Sequence, residues 1–247
     1  MQIFEPFIWG FDDLEAIFFM TLLLLLYFAD IPYLGNEVPF YLCRMTRKIW
    51  LAGQVVYIVC ATAIYTVAIL LSTILICGQR CYVGNIWSET AVKLAFTSAG
   101  KKLSLAASEK TLELTRPYAC MTTIFFLLFA YALVMVLLIF WFRILWNELA
   151  GMIAGVVFNG ISFIFSPGIL QKLLGISERK SYLANVAAGW ISPLSHATYH
   201  LHNFGYDRLP SLRDSGIYDM VLVIMLILLN LYSIRTYHFV FDGTGER

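Results

Sequence analysis

Between Tyr118 and Phe142 the chain runs for 25 residues without an Asp, Glu, Lys or Arg. A helix needs ~20 mostly apolar residues to cross a hydrocarbon core ~30 Å thick, so this stretch belongs in a bilayer or at the centre of a helical bundle. Composition decides for the bilayer. The 247 residues are 60% apolar and 13% charged, whereas a soluble domain has ~45–50% and ~25%. Mean hydropathy is +0.76. One soluble core cannot hide that excess, and a net charge of +1 gives no electrostatic footprint for nucleic acid.

Four further apolar runs accompany the first: Leu14–Ala29, Val55–Cys77, Leu149–Ser166 and Ile217–Ile234. None alternates with period two, so the expected class is an all-α integral membrane protein of about five transmembrane helices in a single transmembrane domain over 1–247. Residues 1–13 hold Glu5, Asp12 and Asp13 but no base, which does not fit a signal peptide. Trp9, Tyr27, Tyr33, Trp50, Tyr118, Trp141, Trp146 and Tyr237 lie near the run ends, where amphipathic rings settle at headgroup level.

Orientation is contested by the charges. Residues 30–49, 143–148 and 235–247 share six bases, and 78–117 and 167–216 share eleven. Positive-inside counting favours the longer loops as cytoplasmic, but Arg44, Arg47 and Lys48 crowd beside a run end, where bases weigh most. In 178–203, near-helical spacing broken at Ser192-Pro193 predicts two short helices at the interface, the second capped by Ser192.

Chemistry-bearing motifs are sparse. There is no G-x-x-x-x-G-K-[ST], no G-x-S-x-G and no H-E-x-x-H, so no nucleotide site, cofactor or catalytic centre is expected. His196 and His200 would share a helix face with Asp207 nearby. That set defines a rival reading as a membrane-embedded metal enzyme, against interfacial histidines bonded to water, headgroups or backbone. A non-transporting structural subunit is the third class. Asn159 and Asn230 are the mid-span amides. They read as makers of interhelical hydrogen bonds and, should the bundle hold a pathway, as its candidate residues. Glu15 and Asp219 fall within two residues of a run end, within reach of water. Gly151-x-x-x-Gly155 permits close helix approach within one bundle or across a dimer. Cys77 and Cys81, four apart, read as free thiols, with a disulfide the alternative.

Asp30-Ile31-Pro32-Tyr33-Leu34 closes one apolar run. Val38-Pro39-Phe40-Tyr41-Leu42 and Arg44-Met45-Thr46-Arg47-Lys48-Ile49-Trp50-Leu51-Ala52-Gly53-Gln54 then open the next. The pattern resembles the permease subunits of bacterial ABC exporters of the type-2 export class, which often carry R-T-x-R-x-x-W-x-x-G-Q/K between two spans. Thr46 sits one place late. Ile191-Ser192-Pro193-Leu194-Ser195 is similar to the Ser-Pro element such permeases have before their last span.

The resemblance covers most of the chain. It implies separate ATPase subunits, a second permease copy or related chain, and multi-pass placement in a bacterial plasma membrane. The substrate would be a peptide, lipid-like or antibiotic-like molecule. Residues 30–49 would be cytoplasmic, and the long, partly helical loop before the last span would be external. Residues 35–48 would form a coupling helix in a groove of the ATPase, with Phe40, Tyr41 and Leu42 in apolar contact and Glu37, Arg44 and Arg47 setting polar register. Such permeases usually have six spans. The sixth would precede residue 1, and the first run here would match the family's second.

Overall fold

A computed structural model describes residues 1–32, 44–97, 109–173, 175 and 177–237. The described residues are helical and contain no strand beyond an isolated bridge, Gln2 to Tyr82. In chain order the helices are α1 (Glu5–Phe11), α2 (Leu14–Tyr27), α3 (Arg47–Cys77), α4 (Glu89–Phe96), α5 (Glu109–Leu114), α6 (Pro117–Leu145), α7 (Glu148–Ile164), α8 (Pro167–Leu173), α9 (Ser181–Ile191), α10 (Pro193–Ala197) and α11 (Leu212–Ser233).

Their starts follow from local chemistry. Pro117 opens α6, where a missing N–H costs nothing. Asn147 caps α7 by accepting from the Ala150 N–H at 2.8 Å, and Ser211 and Asp214 form a reciprocal capping box on α11. Ser192 caps α10 and Pro193 fills its first turn, as the sequence predicts.

The uncharged helix α6 is the axis of the bundle. Seven consecutive residues, Tyr131 to Leu137, are buried, so it is surrounded on all sides, by α3, α7 and α11 above all. The outer helices turn aliphatic side chains outward: Leu75 and Ile76 on α3, Met220, Val221 and Leu228 on α11. Such faces suit lipid, not water.

The span count differs from the expectation of five. Three helices are long and apolar enough to cross a membrane: α3, α6 and α11. A fourth crossing arises only if α7 and α8, bent by 71° at Ser166-Pro167, act as one span. Helix α2 has 14 residues, about 21 Å at 1.5 Å per residue, too short to cross alone. Hydropathy reads apolarity, and α2 owes part of its own to burial against the bundle, with Ile17 and Leu24 fully enclosed. The expected coupling helix, 35–48, falls mostly outside the described residues. Glu37, Phe40, Tyr41 and Leu42 lie outside the described residues, Arg44 precedes α3, and Arg47 and Lys48 already form its first turn.

Side-chain bonds fix which helix ends share a side. At one end, the buried Arg143 guanidinium donates to the carbonyls of Phe28 and Ile31, where α2 runs out. Arg47 donates to the carbonyls of Ile234, Arg235 and Tyr237 at 3.3, 2.7 and 3.1 Å, capping the C-terminal end of α11. At the opposite end, α1, α4, α5 and residues 193–211 form a cap. Glu5, fully buried, accepts from the Ser88 N–H and Oγ–H at 2.7 Å each and from the Gln2 N–H at 3.0 Å. Trp87 donates to the Thr115 carbonyl at 2.7 Å.

Gly151 and Gly155 pack inside this bundle. A Cβ on Gly155 would stand 2.5 Å from Leu25 Cδ2. Their role is contact of α7 with α6 and α2. Of the rings assigned to the membrane interface, Tyr27 and Trp146 are exposed, whereas Trp9 and Trp50 are buried. Cys77 and Cys81 are free thiols, the Cys81 S–H donating to the Cys77 carbonyl.

Candidate functional site

The polar groups of the interior concentrate under the cap. Asp12, 1% exposed, ends α1. Its Oδ1 accepts from the His200 backbone N–H at 2.7 Å and lies 3.1 Å from His200 Nδ1, and its Oδ2 accepts from Thr111 Oγ1 at 3.3 Å. One carboxylate therefore ties α1, α5 and the turn after α10 together. Burial opposes charge on the His200 ring, but the hydrogen bond and charge of Asp12 outweigh it and raise the pKa. Lys110 reaches over this junction to the His202 carbonyl at 2.8 Å and the Asp207 carboxylate at 2.5 Å, above the rings of Phe204 and Tyr206.

One step deeper, Ser215 of α11 sits between two histidines. His196 Nδ1 and His202 Nε2 each approach its hydroxyl at 2.8 Å. The far nitrogens face carbonyls: His196 Nε2 donates to Trp190 O at 3.2 Å, and His202 Nδ1 to Tyr199 O at 3.1 Å. Those partners assign the tautomers and leave both serine-facing nitrogens as acceptors. Burial pushes both rings down in pKa, His202 to about 4. Near neutral pH the cluster thus has one hydroxyl hydrogen for two contacts.

The next turn of α11 carries Asp219. It is 3% exposed and its Oδ2 has no hydrogen-bond partner. The sequence placed this acid within reach of water. The helix in fact begins at Leu212, so Asp219 lies a full two turns in and is enclosed. Glu15 is exposed, as expected.

Both mid-span amides bind helices together. Asn159 of α7 donates to Thr21 Oγ1 of α2 at 2.6 Å and accepts from the Tyr131 hydroxyl of α6 at 2.7 Å. Asn230 donates to Leu226 O on its own helix at 2.8 Å and to Leu137 O of α6 at 3.3 Å. Neither lines a described cavity.

The rival metal set does not assemble. Helix α10 stops at Ala197 with Thr198 extended, so His196 and His200 do not share a helix face. His196 bonds to Ser215, His200 to Asp12, and Asp207 to Lys110. Among the described residues no group of three His, Cys, Asp or Glu side chains is placed to hold a metal ion.

The break between α7 and α8 opens a cavity of about 390 Å³, closed by α9 and α10. Its walls are apolar, with Ser162, Ser166, Ser192, Ser195 and Asn185 as the polar members and no charged residue. Sequence reading singled out Ser192-Pro193 as a helix start but missed this cavity, because its walls meet only through tertiary packing. Against known family models, curated proteins and solved structures, the chain matches none.

Arg47 has a structural duty that the coupling assignment did not include. Arg47→Ala should cost about 1 kcal/mol through loss of charge-assisted bonds to three carbonyls, read as a lower unfolding temperature in detergent. Arg44→Ala, an exposed residue ahead of the helix, should leave that temperature unchanged.

Proposed function

We propose that this chain is the membrane-spanning permease subunit of an ATP-driven exporter in a bacterial plasma membrane, working with separate ATPase subunits and a second permease chain. The observation that carries the reading is the clamp of Arg47 on the end of α11. The Arg44–Gln54 stretch, which resembles the exporter motif, opens α3 and is fastened through Arg47 to the carbonyls of 234–237. A push delivered to residues 35–48 would therefore move α3 and α11 together. Helix α3, with 31 residues, is about 46 Å long and exceeds a ~30 Å core, so it suits a lever that reaches beyond the bilayer.

On this reading residues 30–49 and 143–148 face the cytoplasm and meet the ATPase. The cap built from 78–97, 109–117 and 193–211 faces outward, with the bent α7–α8 pair beneath it. The exposed aliphatic faces of α3 and α11 meet lipid or the second permease chain. Glu37, Phe40, Tyr41, Leu42 and Arg44 remain the proposed contacts with the ATPase, and Asn159 and Asn230 stay available to a pathway only by parting from their present partners.

The test is affinity purification of the tagged full chain from membranes of its own host. The account expects a P-loop ATPase in stoichiometric amount. Recovery of the chain with no such ATPase under gentle extraction would contradict it.

A further inference from the structure

The apolar cavity at the α7–α8 break adjoins a second one of different character. This neighbour, about 370 Å³, is lined by Tyr182, Val186, Tyr206, Asp207 and Arg208, and it shares Asn185 and Leu209 with the first. One compartment is uncharged and apolar, and the other carries two charged residues, Asp207 and Arg208. The shared residues are the wall between them.

Charge in the second compartment does not cancel. Asp207 is already paired with Lys110 at 2.5 Å. Arg208 lends its backbone carbonyl to Trp190, but its guanidinium has no ion-pair partner among the described residues. At the rim of this compartment the exposed Arg208 therefore brings one positive charge without an ion-pair partner, with the exposed Tyr182 and Tyr206 beside it. The apolar compartment is bordered by the outward-facing Phe163, and Ile164, Ile169 and Leu173 are exposed on the same two helices. In a membrane chain such a border opens onto lipid. A ligand arriving there comes sideways from the leaflet with its apolar part leading.

We propose that the two compartments form one binding site for an anionic single-chain amphiphile, its hydrocarbon chain between Ser166, Ala188 and Leu209 and its anionic head at Arg208 with Tyr182 and Tyr206. Uncharged walls exclude a charged chain, because a buried unpaired charge is costly. The guanidinium selects phosphate or carboxylate at the head. In the exporter reading, on which only this last step rests, the amphiphile is the transported substrate, held beneath the cap.

The test uses the full chain in nonionic detergent, with bound adducts counted by native mass spectrometry. The probes are dodecyl phosphate, dodecyl glucoside with the same chain and an uncharged head, and inorganic phosphate. Dodecyl phosphate should bind more tightly than the glucoside. Arg208→Gln should weaken dodecyl phosphate about tenfold, the size expected for a hydrogen bond to a charged group, and leave the glucoside unchanged. Ala188→Phe, which fills the chain compartment, should weaken both amphiphiles, and Ser166→Phe should do the same from the opposite wall should Ala188→Phe fail to fold.

Displacement of dodecyl phosphate by an equal concentration of inorganic phosphate would overturn the proposal in favour of a simple anion site. Equal binding of both amphiphiles to wild type and to the blocked variants would overturn it as unspecific adhesion. No ATPase is needed in this experiment, so its result is separate from that of the co-purification.

Discussion

Replacing Asp12 by alanine is expected to destabilise the cap by about 3–5 kcal/mol, the range for breaking a buried ion pair from one side. The carboxylate is enclosed and takes the His200 N–H, the His200 ring and Thr111 Oγ1. Alanine would leave the His200 N–H and Thr111 Oγ1 without this acceptor, and the His200 ring with only the Asp12 main-chain carbonyl at 2.8 Å. The loss should depend on pH. The His200 pKa is raised in the folded state, since Asp12 outweighs burial. The contribution of this pair is therefore fully present below the unfolded value of about 6.5 and disappears as pH rises through the higher folded value. Wild type and Asp12→Ala should thus differ more in unfolding temperature near pH 6 than near about pH 9. His196 and His202 act with the opposite sign. Their pKa values are lowered by burial, so their share is intact above about 6.5 and is lost as pH falls, for His202 towards about 4. Double substitution of His196 and His202 by glutamine should flatten the acid limb and leave the His200 effect in place.

Gly151→Leu should cost about 3 kcal/mol, at the upper end of ordinary overpacking. A Cβ there already meets Arg143 Cγ and stands 2.8 Å from the Ile139 carbonyl oxygen. The arginine side chain can shift, but the backbone of α6 cannot shift without moving the axis of the bundle. Displacing Arg143 also withdraws its bonds to the ends of α2 at Phe28 and Ile31. Gly160→Leu is the control. It lies on the same helix with nothing within 4 Å of its Cβ, and it should unfold with wild type. Thermal unfolding of both variants in detergent decides the matter. Equal loss in both would mean that leucine itself, not the α6–α7 contact, is responsible.

The membrane helices were legible where apolar character and length coincide. Tyr118–Phe142 falls inside α6 because Pro117 and Arg143 mark its ends in the sequence itself. The run from Val55 understates α3 by eight residues. Arg47 and Lys48 are helical despite their charge, since Thr46 caps the turn they open and the Arg47 side chain is bonded to the carbonyls at the end of α11. Leu14–Ala29 reads as a span from its five consecutive leucines, but its helix stops at Tyr27 after 14 residues, with Leu24 and Leu25 buried and Leu23 and Leu26 exposed. The site was less legible. His196 and His200 fit a helical spacing that Thr198 interrupts, and no local signal predicts that Ser215 joins His196 to His202 across 13 and 19 residues. Asp219 looks like an end residue because apolarity begins at Ile217, while the helix begins five residues earlier, at Leu212 behind its Ser211 cap. Asn159 was the exception. A lone amide in an apolar helix has few uses other than to bond a neighbouring helix, and it bonds two.

The most direct test of the exporter account is ATP hydrolysis by the ATPase assembled with this chain in proteoliposomes, compared between wild type and Phe40→Asp. A carboxylate in place of a central aromatic anchor typically costs ~2 kcal/mol or more at an interface, and no spanning helix is touched. The account predicts normal membrane insertion of Phe40→Asp with loss of ATPase recovery and of the hydrolysis that the wild-type chain supports. Equal ATPase recovery and equal hydrolysis with both chains would contradict it.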